Sequence, residues 1–379
     1  MRRTAALILG GGPAGSAAAI TLARGGVAPE LIERTAAPHD TVCGGFLGWD
    51  ALAALDRLGV DAFALGARPI TRLRLVNGAR RVEVELPGRA AGLSRRRLDE
   101  ALLSASASAG ARVTRGRSVR AADAAARTVR LDDGEQVSGI ALFLATGKHE
   151  VRGLQRPAAR TSRGAVGLRV ALRTPAASQG LDGVVELHLF DGGYAGLLLQ
   201  DDGGVNLCVS VARDRFSKAG SAAALMAELA GEAPLLRARL PDGRAAGWRA
   251  IAGVPYGWRA GETPCGLFRL GDQGAVISSL AGDGVAIALA SGVEAASAFL
   301  QHGAAGAGAY QAAFARRARA PLTAADLLRR AAEARSTRPA LMRLASVPGL
   351  AGVAARLTRI ASGDPSRSGT LRHLAFDEA

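Results

Sequence analysis

Leu7-Ile8-Leu9-Gly10-Gly11-Gly12-Pro13-Ala14-Gly15 runs an apolar strand into a Gly-x-Gly-x-x-Gly turn, and the small residues Ser16 to Ala19 then open a helix. This is the pattern of a dinucleotide-binding unit. Gly10 permits the tight turn, Gly12 lets backbone approach a pyrophosphate, and Gly15 lets helix and strand pack closely. The helix N-terminus at Pro13 and Ala14 offers unpaired N–H groups and a positive dipole end to phosphates. Glu33 closes the next apolar segment, where a carboxylate can accept from ribose hydroxyls. Arg34 follows it, as an adenosine-side contact or a solvated charge.

Around that turn lie 379 residues, 49% of them hydrophobic, enough for two intertwined domains. The three cysteines, Cys43, Cys208 and Cys265, have no paired spacing. A disulfide framework or a zinc site is therefore not expected, and a reducing cytoplasm fits. The five histidines form no ligand cluster. The formal net charge is +15, carried almost wholly by arginine, with lysine only at positions 148 and 218. A basic surface can attract anionic lipid or a phosphorylated nicotinamide. Nucleic acid is not expected, because no binding module is visible and only 4% of residues are aromatic. The opening residues imitate a signal peptide, but the glycines and Pro13 break the apolar run too early. The apolar run Val285 to Leu300 is interrupted by Glu294 and is not expected to span a membrane.

The pattern predicts strand, turn, helix, strand, loop, helix over 1–60, and a hairpin across Asn77-Gly78 between Ile70 and Leu86. Helices are expected over Leu98–Ala109, Ala222–Ala238 and Val285–Leu300, and over most of Ala309–Ile360. Strand-like runs at Gly164–Arg173, Val184–Asp191 and Tyr194–Ala212 follow one another without helices, which predicts an antiparallel sheet.

Three further segments resemble flavoproteins of the p-hydroxybenzoate hydroxylase and geranylgeranyl reductase superfamily. Arg95-Arg96-Arg97-Leu98-Asp99 with Leu102 resembles an R-x-x-L-D-x-x-L helix start, which implies Arg95 near an FAD pyrophosphate. Gly271-Asp272 followed by Gly282-Asp283-Gly284 resembles the second FAD motif, which implies Asp272 near the ribityl or pyrophosphate and Gly282 and Gly284 beneath the flavin ring. Cys43-Gly44-Gly45-Phe46-Leu47 resembles the C-G-G-x-L loop of the reductase branch. The chain departs from the pattern at three places. Ser278-Ser279 stands where a proline is usual, Ala145-Thr146-Gly147 lacks the aspartate of the D-G motif, and Tyr194 is the one remnant of Y-x-W-x-F-P. No W-x-W-x-I-P halogenase motif occurs. Thr146 and Gly147 still form a cofactor-side turn, with Lys148 and His149 as phosphate contacts or solvated residues.

The expected architecture is α/β. A Rossmann-like FAD-binding domain takes residues 1–65, 92–160 and 262–300, an antiparallel β-sheet substrate domain takes 66–91 and 161–261, and C-terminal helices take 301–379. The expected activity is FAD-dependent oxidation or reduction of a hydrophobic small molecule, with NAD(P)H as a transient electron donor. Hydroxylation through a flavin C4a-hydroperoxide is weighed first, reduction of a C=C bond second, and flavin binding without turnover third. Cys43 and Tyr194 are the candidate catalytic residues. Each has a plain structural alternative, as a small buried loop residue and as a buried sheet tyrosine. The arginine-rich C-terminal helices read as a solvated face packed on the FAD domain, or as a peripheral membrane contact. No obligate protein partner is evident.

Overall fold

A computed structural model describes residues 2–157, 164–240 and 247–360. The first strand, Arg2–Leu9, is completely buried from Ala6 onward and lies at the centre of a parallel sheet. Buried on both faces, such a strand needs the continuous apolar run that the sequence supplies. Arg112–Arg115, Glu30–Glu33, Arg2–Leu9, Gln136–Leu144 and Leu267–Arg269 pair in that order, all parallel. An antiparallel ribbon, Val119–Asp123 and Thr128–Leu131, joins the start of Gln136–Leu144. Helices Pro13–Arg24, Arg95–Ser108 and Gly284–His302 pack together against this sheet.

The second sheet has eight strands and is antiparallel except at one join. Gly183–Phe190 runs parallel to Arg68–Asn77. The hairpin strands Arg68–Asn77 and Arg80–Gly92 enter long before the rest of the sheet, and the chain passes through the first layer between them. A connection that long allows a parallel return where a short turn would not. The edge strand Phe46–Leu47 also belongs to this sheet, pairing with Arg80–Gly92, although it falls within the segment 1–65 assigned to the nucleotide domain. The expected helix Ala222–Ala238 is broken. It stops at Glu232, and Ala233 leaves helical backbone before Pro234 opens a short turn of helix, because a proline disfavours helical backbone in the residue before it. The boundary drawn at 160/161 and the tail 361–379 lie outside the described residues.

Alternation along Gly183–Phe190 divides the two faces of the second sheet. Val185, Leu187 and Leu189 face a large cavity, while Glu186, His188 and Phe190 point the other way. On that far face Glu186 is almost completely buried and gathers His188, Arg74 and Arg239, each at 2.8 Å. Burial would raise its pKa, but hydrogen bonds from His188, Arg239 and Arg74 outweigh that and hold it well below the ordinary glutamate value. The cluster ties Arg239, just past helix Pro234–Arg237, to Arg74 of the hairpin.

Glu186→Gln should therefore destabilise the protein by about 3 kcal/mol at neutral pH, since it removes the buried carboxylate that pairs with Arg239 and, alongside Glu83, with Arg74. A depressed carboxylate contributes stability that is complete above its unfolded pKa of about 4.5 and fades as pH falls below that value. Thermal melting of wild type and variant from neutral pH downward should show a constant gap that closes only in acid.

Candidate functional site

Both sheets and the C-terminal helices enclose one cavity of about 640 Å³. Two helices aim their N-termini at it. Pro13–Arg24 begins after Gly12 and Gly284–His302 after Asp283, and in neither does a side chain cap the free N–H groups. Orphan donors of this kind, reinforced by the helix dipole, attract anionic groups. Gly10 turns at φ +106°, and a Cβ there would sit 2.5 Å from the Ala145 carbonyl oxygen. A Cβ at Gly15 would collide with the Gly10 carbonyl.

The cavity wall includes Gly12, Pro13, Ala14, Cys43, Gly44, Gly45, Arg95, Gly147, Tyr194, Asp272, Gly282 and Gly284. Glu33 lies apart, in a small recess with Thr35 and Asp99. It braces the glycine turn directly: the Gly11 N–H donates to Oε2 at 2.7 Å, and Thr35 donates N–H and hydroxyl to Oε1. Burial would raise the Glu33 pKa, but these donors prevail and lower it. Arg34 is exposed and bonds to His149 at 2.8 Å. Thr146 donates its hydroxyl to the His149 carbonyl and so closes the turn that carries Gly147.

Arg95 is held by Asp99 through two bonds of 2.9 and 2.8 Å. Its Nη2 would be 3.4 Å from a Cβ on Gly12, so the cation overhangs the glycine turn. Lys148 pairs with Asp272 at 3.1 Å on the same wall. Cys43 lies in a loop anchored by Asn206, whose Nδ2 donates to the Cys43 and Gly44 carbonyls at 2.9 and 2.7 Å. Arg169, almost fully buried, orients Asn206 through a 2.7 Å bond. Cys208 stands beside Cys43, and its thiol is pushed up to about 12 by burial, with Cys43 adding to the shift.

A group of hydroxyls forms the polar part of the wall. Tyr256 bonds Ser279 at 2.6 Å and Ser210 at 3.2 Å. The Tyr194 hydroxyl is buried and makes no hydrogen bond among the described residues. Burial, then the neighbouring Tyr256, raises its pKa well above the ordinary value. Sequence reasoning missed Tyr256, Asn206 and Gln273. Gln273 is fully buried and donates to the Gly147 and His149 carbonyls, both at 2.9 Å. It also missed Arg359, which bonds Asp283 at 2.6 Å and Asp50 at 3.2 Å and lies over the Trp49 ring. Among the described residues no cluster of side chains could hold a metal ion.

Residues 3–152 match the family described as FAD binding domain. The chain is 29% identical over 309 residues to a menaquinone reductase of Mycolicibacterium smegmatis, covering 76% of this chain and 75% of that protein. A geranylgeranyl bacteriochlorophyll reductase-like protein from Thermoplasma acidophilum is similar in structure, with TM-score 0.74 at 18% identity over 95% of this chain and 94% of that one. The flavin-dependent brominase Bmp2 is similar with TM-score 0.74 at 16% identity, over 94% and 93% of the two chains. At these identities the structural likeness is one of fold.

The cradle fits FAD. A Cβ on Gly44 or Gly284 would meet nothing within 4 Å, so the space a side chain would fill is left free at both loops. Two cations and two uncapped helix ends border it. Arg95→Ala should weaken FAD binding by roughly 10- to 100-fold, the worth of a charge-assisted bond of about 1.5–3 kcal/mol; titration of apoprotein with FAD measures this. Gly284→Val should leave the melting temperature of the apoprotein unchanged while abolishing retained flavin. Normal flavin content in that variant would mean that the free space at Gly284 does not serve the cofactor.

Proposed function

We propose that this chain, whose residues 3–152 match the FAD binding domain family, is an FAD-dependent oxidoreductase of the p-hydroxybenzoate hydroxylase and geranylgeranyl reductase superfamily, and that it reduces a carbon–carbon double bond in an unsaturated isoprenoid lipid of the prenylated-quinone class. One observation carries this reading over hydroxylation. The described residues that line the cavity include protonated donors but no histidine, and their one carboxylate, Asp272, is paired with Lys148. Hydroxylating a phenolic ring calls for a base to take a proton. Saturating a double bond calls for a proton to be given, and Tyr194, Tyr256, Cys43 and Cys208 are placed to give or relay one.

Bound FAD would supply the electron pair, with NADH or NADPH as its transient reductant. The chain supplies the rest. Arg95 and the glycine turn hold the diphosphate, and the N-terminus of Gly284–His302 offers N–H groups to the flavin ring. Leu73, Leu75, Val185, Leu187 and Leu189 hold an aliphatic substrate and exclude water. Tyr194, free of hydrogen bonds among the described residues, keeps its proton in that dry environment until the substrate carbon needs it. The relative named as a menaquinone reductase supports the substrate class, and the Cys43-Gly44-Gly45 loop supports the reaction.

Anaerobic turnover of FAD-loaded protein with NADPH or NADH and a menaquinone should add two hydrogens per bond reduced, read by mass spectrometry. Substrate-dependent oxygen uptake, with a product heavier by one oxygen atom, would replace reduction by hydroxylation. Tyr194→Phe should slow product formation by roughly 10²-fold or more while leaving flavin reduction by dithionite intact. If Cys43→Ala shows the larger loss, the thiol is the principal proton donor.

A further inference from the structure

The outer face of the C-terminal helices is unlike the rest of the surface. Helices Arg338–Ala345 and Leu350–Leu357 meet at 109°, and no residue of the second is fully buried. Leu344, Val347, Leu350, Val353 and Leu357 are each between 41% and 60% exposed. One exposed leucine needs no explanation, but five large aliphatic side chains within fourteen residues do. Leu344, Leu350, Val353 and Leu357 also line the cavity. The same side chains therefore meet solvent on one side and the interior on the other, which makes them the rim of its mouth.

Within the segment that forms this rim the charge has one sign. No acidic residue occurs from Ala334 to Ile360, which holds five arginines. Arg338 and Arg359 turn inward, to the Leu189 carbonyl and to Asp283. Arg335, Arg343 and Arg356 are exposed. Aliphatic side chains flanked by cations suit an anionic bilayer, where the first enter the acyl boundary and the second meet the headgroups. A second copy of this chain fits less well. In a two-fold contact the arginines would face their own counterparts with no carboxylate in the segment to pair with them.

We propose that the bend between these helices docks the protein on an anionic lipid surface with the cavity mouth toward the bilayer. An apolar substrate then passes from lipid to cavity without crossing water. This purpose rests on the lipid-substrate reading given above, whereas the docking is tested without any substrate.

The test is co-sedimentation of the FAD-loaded full chain with vesicles of phosphatidylcholine alone or mixed with phosphatidylglycerol. Binding is expected on the mixed vesicles and should weaken with salt. Arg343→Glu combined with Arg356→Glu, and separately Val347→Ser, which lies outside the cavity lining, should each weaken partitioning by about tenfold or more, with flavin content and melting temperature unchanged. Several results would overturn the proposal: no vesicle binding, equal binding to both vesicle types, or binding that both variants retain. A dimer in solution that the serine variant dissociates would assign the face to self-association. Binding that appears only after truncation at Ile360 would assign it to the residues that follow. Docking that persists when no isoprenoid compound is turned over would support the surface and remove the substrate assignment.

Discussion

The site depends on how closely two helices approach each other. Pro13–Arg24 and Gly284–His302 pack backbone to backbone because Gly292 has no side chain, and a Cβ there would strike the Ala14 carbonyl. Small residues along both helices, including Ala17 and Ala18, keep the contact close. That contact brings two uncapped N-termini to the same cavity from segments some 270 residues apart (Pro13 and Gly284). The second motif is fastened to the same helix, since the Gly271 N–H donates to the Ser291 hydroxyl at 2.8 Å. The glycine turn, the Asp272 loop and the Gly284 helix start are thus held as one rigid body. A cofactor spanning all three needs no rearrangement of their spacing, which is the condition for preorganised binding.

The same rigid body holds the C-terminal cover. Asp283, fully buried next to the Gly284 helix start, accepts from Arg359 and from the Ile360 N–H. Burial and the nearby Asp50 push its pKa well above the carboxylate range, against the pull of Arg359. Removing Arg359 would leave a buried carboxyl group without that hydrogen-bond partner, which is costly in a dry site. The helices closing the cavity are therefore anchored at the cofactor end, while their outer rim stays exposed. The stretch Gly284–Glu333 has the length and mean hydropathy of a membrane span, but half of its most apolar window is buried inside the protein. It serves as core.

Much of this was legible in the sequence wherever the constraint was local. A strand, a glycine turn and a small-residue helix follow one another within a dozen residues, and each step has one cheap conformation. The Cys43, Arg95 and Asp272 segments were singled out by resemblance rather than by local constraint, and the fold brings all three to one cavity wall. What was hidden depends on tertiary placement. Asn206 is an ordinary strand residue until the second sheet brings its amide under the Cys43 loop. Tyr256 follows Pro255 in what reads as a loop, and its meaning comes from Ser279. The substitution of Ser278-Ser279 for a proline looked like erosion of a motif, yet the Ser279 hydroxyl is bonded to Tyr256. The missing aspartate after Ala145 likewise leaves Lys148 as the charged group of that turn, paired with Asp272.

The polarity of the cavity gives it a direction. At the glycine-turn end stand two cations, Arg95 and Lys148, with one lining carboxylate, Asp272. Each cation is already paired, Arg95 with Asp99 and Lys148 with Asp272, so what sets this end apart is the free N–H groups of two helix N-termini, which favour a diphosphate over a neutral chain. Toward the C-terminal helices the lining becomes aliphatic, and the hydroxyls of Tyr194, Tyr256, Ser210 and Ser279 mark the zone between. An unpaired polar group is costly in such surroundings. The buried Tyr194 hydroxyl, with no partner among the described residues, is such a group. A ligand with a polar or unsaturated end and a long apolar remainder has one low-energy orientation here, with its reactive end at the hydroxyls beside the cofactor loops and its tail toward the rim. The fold thus sets the order of the parts, charge, then hydroxyls, then aliphatic wall, and under the proposed function that order decides which end of a substrate meets the cofactor.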